Sequence, residues 1–226
     1  MSGETSTDDL ARLWPPFGLR VDCGPLVLRA LRDTDFPEVL AVAQAGIHDP
    51  ELMPFYVPWT AATGVELERS FQQYHWRGRA ELSPAAWSLD LGVWHEGRFV
   101  GVQGVSTKDF LVTRTGETGS WLGREFHGRG IGTLMRQAVC VLCLDHLGFE
   151  EVTSGAFSDN PASLAVSRKV GYRPNGSRRL DRQGQVATNV QLVLSREDLN
   201  RPPYDVQVVG AEAFLDLVGA GQARAT

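Results

Sequence analysis

The sequence contains no stretch of about 18 consecutive apolar residues, so no membrane span is expected. No charged-then-apolar leader opens it, and a secretory signal is not expected either. Cysteine is scarce. Cys23, Cys140 and Cys143 are an odd number, and the last two fall inside an apolar stretch with helical spacing. Thiols so placed make no disulfide framework, and a zinc site would need two more ligands nearby, so "CVLC" reads as two small core residues. An excess of positive charge is also lacking: 22 Lys and Arg stand against 27 Asp and Glu, for a net charge of −5. That balance argues against broad attraction to nucleic-acid phosphates. No internal repeat is present, and no metal is expected. The expectation is a soluble, cytoplasmic protein that binds neither nucleic acid nor membrane.

What remains is ordinary globular material, with 42% hydrophobic residues over 226 positions. The length exceeds one average domain and falls short of two. One domain is expected over 21–198. A flexible arm without periodicity precedes it over 1–20, and a C-terminal extension with its own apolar segment, "YDVQVVGAEAFLDLVG", follows over 199–226.

Within the domain, "LVLRAL" reads as a strand and "DTDFPEVLAVAQAG" as a helix, capped by Asp33 or Thr34, with Phe36, Val39, Leu40 and Ala43 on one face. Pro50, Pro54 and Pro58 force a loop over "HDPELMPFYVPW", and "GVELERSFQQYHWRGRA" resumes as a second helix. From Trp87 the period becomes two: Trp87, Leu89, Leu91 and Val93 alternate with smaller or polar neighbours, and "HEGR" turns into "FVGVQGV", an antiparallel hairpin. "ETGSWL" is a third strand. A helix from Gly130 to about Leu147 stops at Gly148. "EEVTSGAF" is another strand, Asn160 and Pro161 open a short helix ending at Gly171, and two strands joined around "DRQGQ" complete the domain.

The chemistry begins at "REFHGRGIGTL". Backbone N–H groups at a helix start lack partners within the helix, and the peptide dipoles concentrate positive charge there. Glycine at 128, 130 and 132 lets phosphate oxygens approach that backbone without Cβ interference. Basic residues cluster nearby, at Arg124, Arg129 and Arg136 and again at Arg168 and Lys169, the footprint of a small anion. Three readings remain open at this point. A nucleotide P-loop would need a lysine that "GIGTL" lacks. A dinucleotide-dependent oxidoreductase would need G-x-G-x-x-G between parallel strands, where the spacing here is G-x-G-x-G, although Asp159 follows the next strand. A glycine-rich turn without a ligand is the third.

A second segment, "NPASLAVSRKVGY", places Asn160, Ser163 and Ser167 at i, i+3 and i+7 on one helical face. Together with "HGRGIG" it resembles the GNAT family of acyl-CoA N-acyltransferases, whose signature is [Q/R]-x-x-G-x-[G/A] followed by a helix, a strand and N-x-x-S-x-x-x-x-x-K-x-G-[F/Y]. The second part matches at Asn160, Ser163, Lys169, Gly171 and Tyr172. The resemblance covers roughly 26–195 and is nearest the branch that acylates ribosomal-protein termini and small amines.

The resemblance implies an α/β GNAT fold, a mixed and mostly antiparallel splayed sheet flanked by helices. It implies a co-substrate, acetyl-CoA or another acyl-CoA, held by His127, Gly128, Arg129, Gly130, Ile131, Gly132, Thr133, Asn160, Ser163, Ser167 and Lys169. His127 stands where the family has Gln or Arg; it reads either as a phosphate donor or as a solvated loop histidine. Asn160 both caps its helix and faces the co-substrate. In the family the pantetheine arm inserts beside the strand before the loop, so the backbone of Trp121 and Leu122 is expected to bond its amides, with the Leu122 N–H polarising the thioester carbonyl. The amine attacks directly after losing its proton. Glu117 is the candidate base. The tyrosine that many members place seven residues after the asparagine is replaced by Ser167, which leaves Ser163 as the candidate to bond the sulfur or relay a proton.

Met53, Phe55, Trp59, Phe71, His75 and Trp76 are expected to line the acceptor pocket. The acceptor is a primary amine of a small molecule or a protein. Acetyl is favoured over succinyl, because no cation lies between His48 and Trp59 to meet a second carboxylate; Arg77, Arg79 or Lys108 would have to supply one. A homodimer is left open. The alternative is a CoA-binding regulatory or degenerate module of the same fold without turnover.

Overall fold

The computed structural model describes residues 5–221. The segment expected to be a loose arm instead carries a helix, α1 (Thr5–Leu13), and a tight turn over Pro15–Gly18; residues 1–4 and 222–226 lie outside the described residues. Then follow β1 (Arg20–Cys23), β2 (Leu26–Ala30), α2 (Phe36–Gln44), α3 (Gly64–Ala80), β3 (Ala86–His95), β4 (Arg98–Lys108), the single turn α4 (Phe110–Thr113) and β5 (Thr115–Leu122). The second half runs α5 (Ile131–Val141), β6 (Glu151–Phe157), α6 (Pro161–Val170), β7 (Arg173–Arg182), β8 (Gln185–Ser195), β9 (Val206–Val209) and α7 (Ala211–Leu217). Among the described residues, no helix is long and apolar enough to cross a membrane.

Nine strands form one sheet in the order β7-β8-β6-β5-β4-β3-β2-β1-β9. Their pairings are antiparallel except β5 with β6. The fold is therefore the expected α/β class with a mixed, mostly antiparallel sheet. Alternation decides which face each strand buries. Trp87, Leu89, Leu91 and Val93 point to one side, where they join the large core built on α5 and α7. Phe36, Val39, Leu40 and Phe71 of α2 and α3 form a smaller core on the other side, with Trp94, Phe99 and Val102 of the sheet.

The C-terminal segment is bound into the same body. β9 pairs with β1 over Arg20↔Val209 to Cys23↔Val206, and the fully buried Phe214 of α7 lies edge-on to Trp87 at 5.1 Å. Burying a phenylalanine there contributes about 2–3 kcal/mol. The long helix expected from Gly130 is α-helical only to Val141; it widens over Leu142–His146, and the N–H of Leu147 bonds back to the carbonyl of Leu142. Cys140 and Cys143 are buried in this stretch. Burial pushes the Cys140 thiol up to about 11 and the Cys143 thiol well above its ordinary value, so both are inert core residues.

Candidate active site

The parallel pair at the sheet's centre opens into a gap. β5 and β6 are in register from Thr115↔Glu151 to Thr118↔Ser154. Beyond that point β5 stays with β4 as far as Leu122 and β6 stays with β8 as far as Phe157, so the two strands part, each following its outer neighbour. The freed edge of β5 is defined by alternation. Gly123 donates its N–H to the Val100 carbonyl of β4 at 2.8 Å, which turns Gly119 and Trp121 toward β4 and leaves the backbone of Ser120 and Leu122 facing the gap. A Cβ on Gly101 would overlap the Trp121 carbonyl oxygen, in keeping with that direction. Of the two residues expected to offer backbone to a pantetheine arm, Leu122 faces the gap and Trp121 does not; Ser120 takes its place. The Trp121 ring instead packs between Trp59 and Phe99, 5.8 Å from each.

At the open end of the gap lies the glycine loop. A tight turn over Arg124–Phe126 buries Phe126, and His127 points back to bond the Leu122 carbonyl through Nε2 at 2.9 Å. Gly128 (φ +75°) and Gly130 (φ +81°) adopt left-handed backbone, and the Cβ that each lacks would meet nothing within 4 Å. The missing side chains leave open space in front of the backbone. α5 starts immediately after, with Ile131 buried as its anchor and the N–H groups of Thr133 and Leu134 both bonded to the Gly130 carbonyl at 3.1 Å. Gly132 has no left-handed backbone, and an added Cβ there would make an ordinary contact with Val166 at 3.8 Å, where α5 meets α6. Arg129 is exposed, 5.9 Å from the Phe126 ring. An uncovered left-handed turn at a helix start, with a cation beside it, fits a pyrophosphate.

α6 flanks the gap from the β6 side. Asn160 caps it as expected, its Oδ1 accepting the Ser163 N–H at 3.1 Å. Ser167 faces inward rather than into an open cleft. It is 1% exposed, donates to the Ser163 carbonyl at 3.0 Å and accepts from Arg136 at 3.4 Å. Lys169 is exposed in the last turn, where its charge complements the helix dipole. Tyr172 is buried, and its hydroxyl hydrogen-bonds Thr118 at 2.7 Å at the point where β5 and β6 part. Arg136, grouped by sequence with the loop cations, is 4% exposed beneath the sheet.

The opposite face of the gap carries carboxylates. Glu117 is exposed on β5, and its Oε1 would lie 3.4 Å from a Cβ on Gly155 of β6. Asp90, Gly104 and Gly119 stand side by side on β3, β4 and β5, and the Asp90 carboxylate occupies the space a Gly104 side chain would take. Asp90 and Gly119 are thus about 10 Å apart, two strand spacings, and an added Cβ on Gly119 would meet nothing within 4 Å. Burial holds the Asp90 carboxyl above its usual range, against the opposing effect of the Tyr74 hydroxyl, and Asp90 pushes the Tyr74 phenol up. His75 Nδ1 lies 3.9 Å from Asp90. Burial, helped by Arg79, lowers His75 to about 4, so it is neutral at pH 7 and supplies no countercharge.

The aromatic cover expected from the first two helices and their loop is present as a chain of ring contacts: His48 to Phe55, Phe55 to Trp59, Trp59 to Phe71 and Phe71 to His75, at 4.5–6.2 Å. Trp76 is not part of it; its ring is exposed and bonds Asp33 at 3.1 Å. Asp90 and Tyr74 were missed by sequence reasoning, because only the register shows that one shares a row with Gly119.

A helix-flanked, mixed sheet that splays where a glycine loop opens a helix defines an acyltransferase-type fold. The family profile of the Acetyltransferase (GNAT) domain matches residues 25–173, and the chain belongs to that family. It is 28% identical over 91 residues to YdaF of Bacillus subtilis (strain 168), a protein named for a proposed ribosomal N-acetyltransferase activity; the match covers 40% of this chain and 49%, about half, of that relative. Among solved structures, Mycobacterium smegmatis RimJ in complex with CoA-disulfide superposes with a TM-score of 0.68 at 20% identity, covering 92% of this chain and 96% of that one. RimL, a ribosomal L7/L12 alpha-N-protein acetyltransferase in complex with coenzyme A, gives a TM-score of 0.60 at 18% identity over 77% and 94%.

Proposed function

We propose that this chain transfers an acetyl group from acetyl-CoA to a primary amine by direct attack, the amine belonging to a protein N-terminus or a small cationic molecule. The observation that carries the reading is the opening of β5 from β6 directly beside the uncovered glycine turn. One end offers N–H groups to a pyrophosphate, and the other offers the Ser120 backbone and the Leu122 N–H to an extended amide-bearing arm. The chemistry then requires a proton acceptor, because a primary amine is protonated at neutral pH. Glu117, exposed on the far face of β5, is the proposed base. Asp90, half-buried and without a charged cationic partner in the same row as Gly119, favours an acceptor that brings positive charge. The names of YdaF and RimL support a ribosomal-protein terminus as the first acceptor to try.

Acetyl is preferred over succinyl for a structural reason. Arg182 reaches the proline-rich loop, donating to the Met53 carbonyl at 3.4 Å, but is already paired with Asp159 at 2.6 and 2.9 Å. Arg79 is committed to Asp33 and the Leu31 carbonyl. A second carboxylate on the acyl group would find no free partner among these. One observation favours a CoA-binding module without turnover: Ser167, at the position of the family's tyrosine acid, is buried and bonded to its own helix. Thiol release from acetyl-CoA and from succinyl-CoA, with and without amine, tests both readings. Amine-dependent release with acetyl-CoA in excess over succinyl-CoA is expected; binding of CoA without any amine-dependent release would overturn the enzyme reading.

A further inference from the structure

Arg136 is the buried charge that the mechanism above leaves unused. It lies on the second turn of α5, 4% exposed, and its guanidinium reaches the point where β5 and β6 part. Nη2 donates to Ser120 Oγ at 2.7 Å, and Nη1 donates to Ser154 Oγ at 3.3 Å and Ser167 Oγ at 3.4 Å. Its Nε is buried with no hydrogen-bond partner. The ion pairs among the described residues do not include it. A desolvated cation held only by neutral hydroxyls is costly unless an anion arrives to meet it.

The three serines occupy both lips of the splay and the helix position where the family's tyrosine is missing. Two of their protons are spent inside the protein: Ser154 donates to the Thr118 carbonyl at 3.2 Å, and Ser167 donates to the Ser163 carbonyl at 3.0 Å. Ser120, on the half-buried stretch of β5 beyond the last β6 pair, accepts from Arg136, a bond that leaves its own proton unused. An N–H from a guanidinium onto its oxygen makes that proton a stronger donor.

We propose that Ser120, backed by Arg136, is an anion site for the leaving thiolate of coenzyme A, so that the thiol departs held by charge and hydrogen bond rather than protonated by a side chain. The inference rests on the transferase reading above. In balance, the ammonium first gives one proton to Glu117, which passes it to water; the freed nitrogen pair then attacks the thioester carbon, the C–N bond forms, the π pair moves to oxygen, and a second proton passes from nitrogen to Glu117. Collapse of that oxyanion breaks the C–S bond, and its pair leaves on sulfur as thiolate, facing the Ser120 hydroxyl and the Arg136 cation. Glu117 returns its proton to water.

Other ionisable groups do not compete at this spot. Cys140 on α5 and Tyr172 after α6 are both kept neutral by burial. Arg168 and Lys169 of α6 are exposed, and Glu117 of β5 lies on the opposite face from Ser120.

The test is the ionisation of the bound thiol, followed by thiolate ultraviolet absorbance of the CoA complex against pH, for the wild type, Arg136→Met and Ser120→Ala. In the wild type the bound thiol should titrate about one pH unit or more below free CoA, which corresponds to tenfold or greater preference for the thiolate. Arg136→Met should return it to the free value or above, and Ser120→Ala should move it part-way. Should Arg136→Met fail to fold, Ser120→Ala carries the test, since it removes one hydroxyl from a half-buried site. A wild-type complex whose thiol titrates like free CoA, or a low value that neither variant moves, overturns the proposal while leaving the transferase reading intact. Absence of CoA binding in the wild type overturns both.

Discussion

Replacing Gly130 with aspartate separates backbone strain from ligand exclusion. At φ +81°, with nothing within 4 Å of the Cβ position, the new side chain meets no protein atom, so its folding cost is the left-handed backbone, roughly 1–2 kcal/mol for an L residue. Against a bound pyrophosphate the cost is larger. The side chain displaces an oxygen from a backbone N–H and forfeits a charge-assisted hydrogen bond of about 1.5–3 kcal/mol. Its carboxylate, about 5 Å from a phosphate charge, adds roughly 1–3 kcal/mol of repulsion at effective dielectric constants between 80 and 20. The sum of about 3–6 kcal/mol predicts CoA binding weaker by roughly 10²- to 10⁴-fold. Gly148→Asp is the matched control. Gly148 is also left-handed (φ +74°) and open, but it follows the far end of the same helix, about 25 Å away at 1.5 Å per residue. Calorimetric titration with CoA, beside thermal melts, should show similar losses of stability in both variants and lost affinity only in Gly130→Asp. Wild-type affinity in Gly130→Asp, or equal weakening in both, would refute the cradle.

Glu117→Gln should lower the rate at pH 7 by roughly 10²- to 10⁴-fold, recover partly as pH approaches that of the free amine, and leave CoA affinity unchanged; a pH–rate profile parallel to wild type would assign the proton transfer elsewhere. His75, lowered to about 4 when folded against 6.5 unfolded, binds its proton first in the unfolded chain. Its contribution is therefore present above pH 6.5 and lost as pH falls toward 4, on the order of 3 kcal/mol, and urea unfolding at pH 7.5 and 5 should show a shallower loss in His75→Phe. Gly171→Ala forces a Cβ onto the Asp198 carbonyl oxygen at φ +111° and should cost about 2–5 kcal/mol of stability in the same unfolding assay, through overlap and backbone strain together.

The sequence alone determined the elements whose signals are local. Alternation from Trp87 to Val93, the Asn160–Pro161 helix start, the stops at Gly148 and Gly171, and the loop enforced by three prolines all depend on neighbours a few residues away, and the structure has each of them. The glycine turn was legible for the same reason, since positive φ is a property of one residue. The four-residue strands β1 and β9 were not, because so short a run carries no period and is stabilised only by its partners. Tertiary structure decided everything that depends on which strands lie side by side. It turned Trp121 away from the gap and brought Ser120 into it, set Asp90 in a row with Gly104 and Gly119, and carried Arg136 from an apparent loop cluster into the apex of the splay, beside serines 16, 18 and 31 residues away in the chain. Strand register and burial are set by contacts between distant segments, and no pattern within the helix that holds Arg136 records what lies across from it.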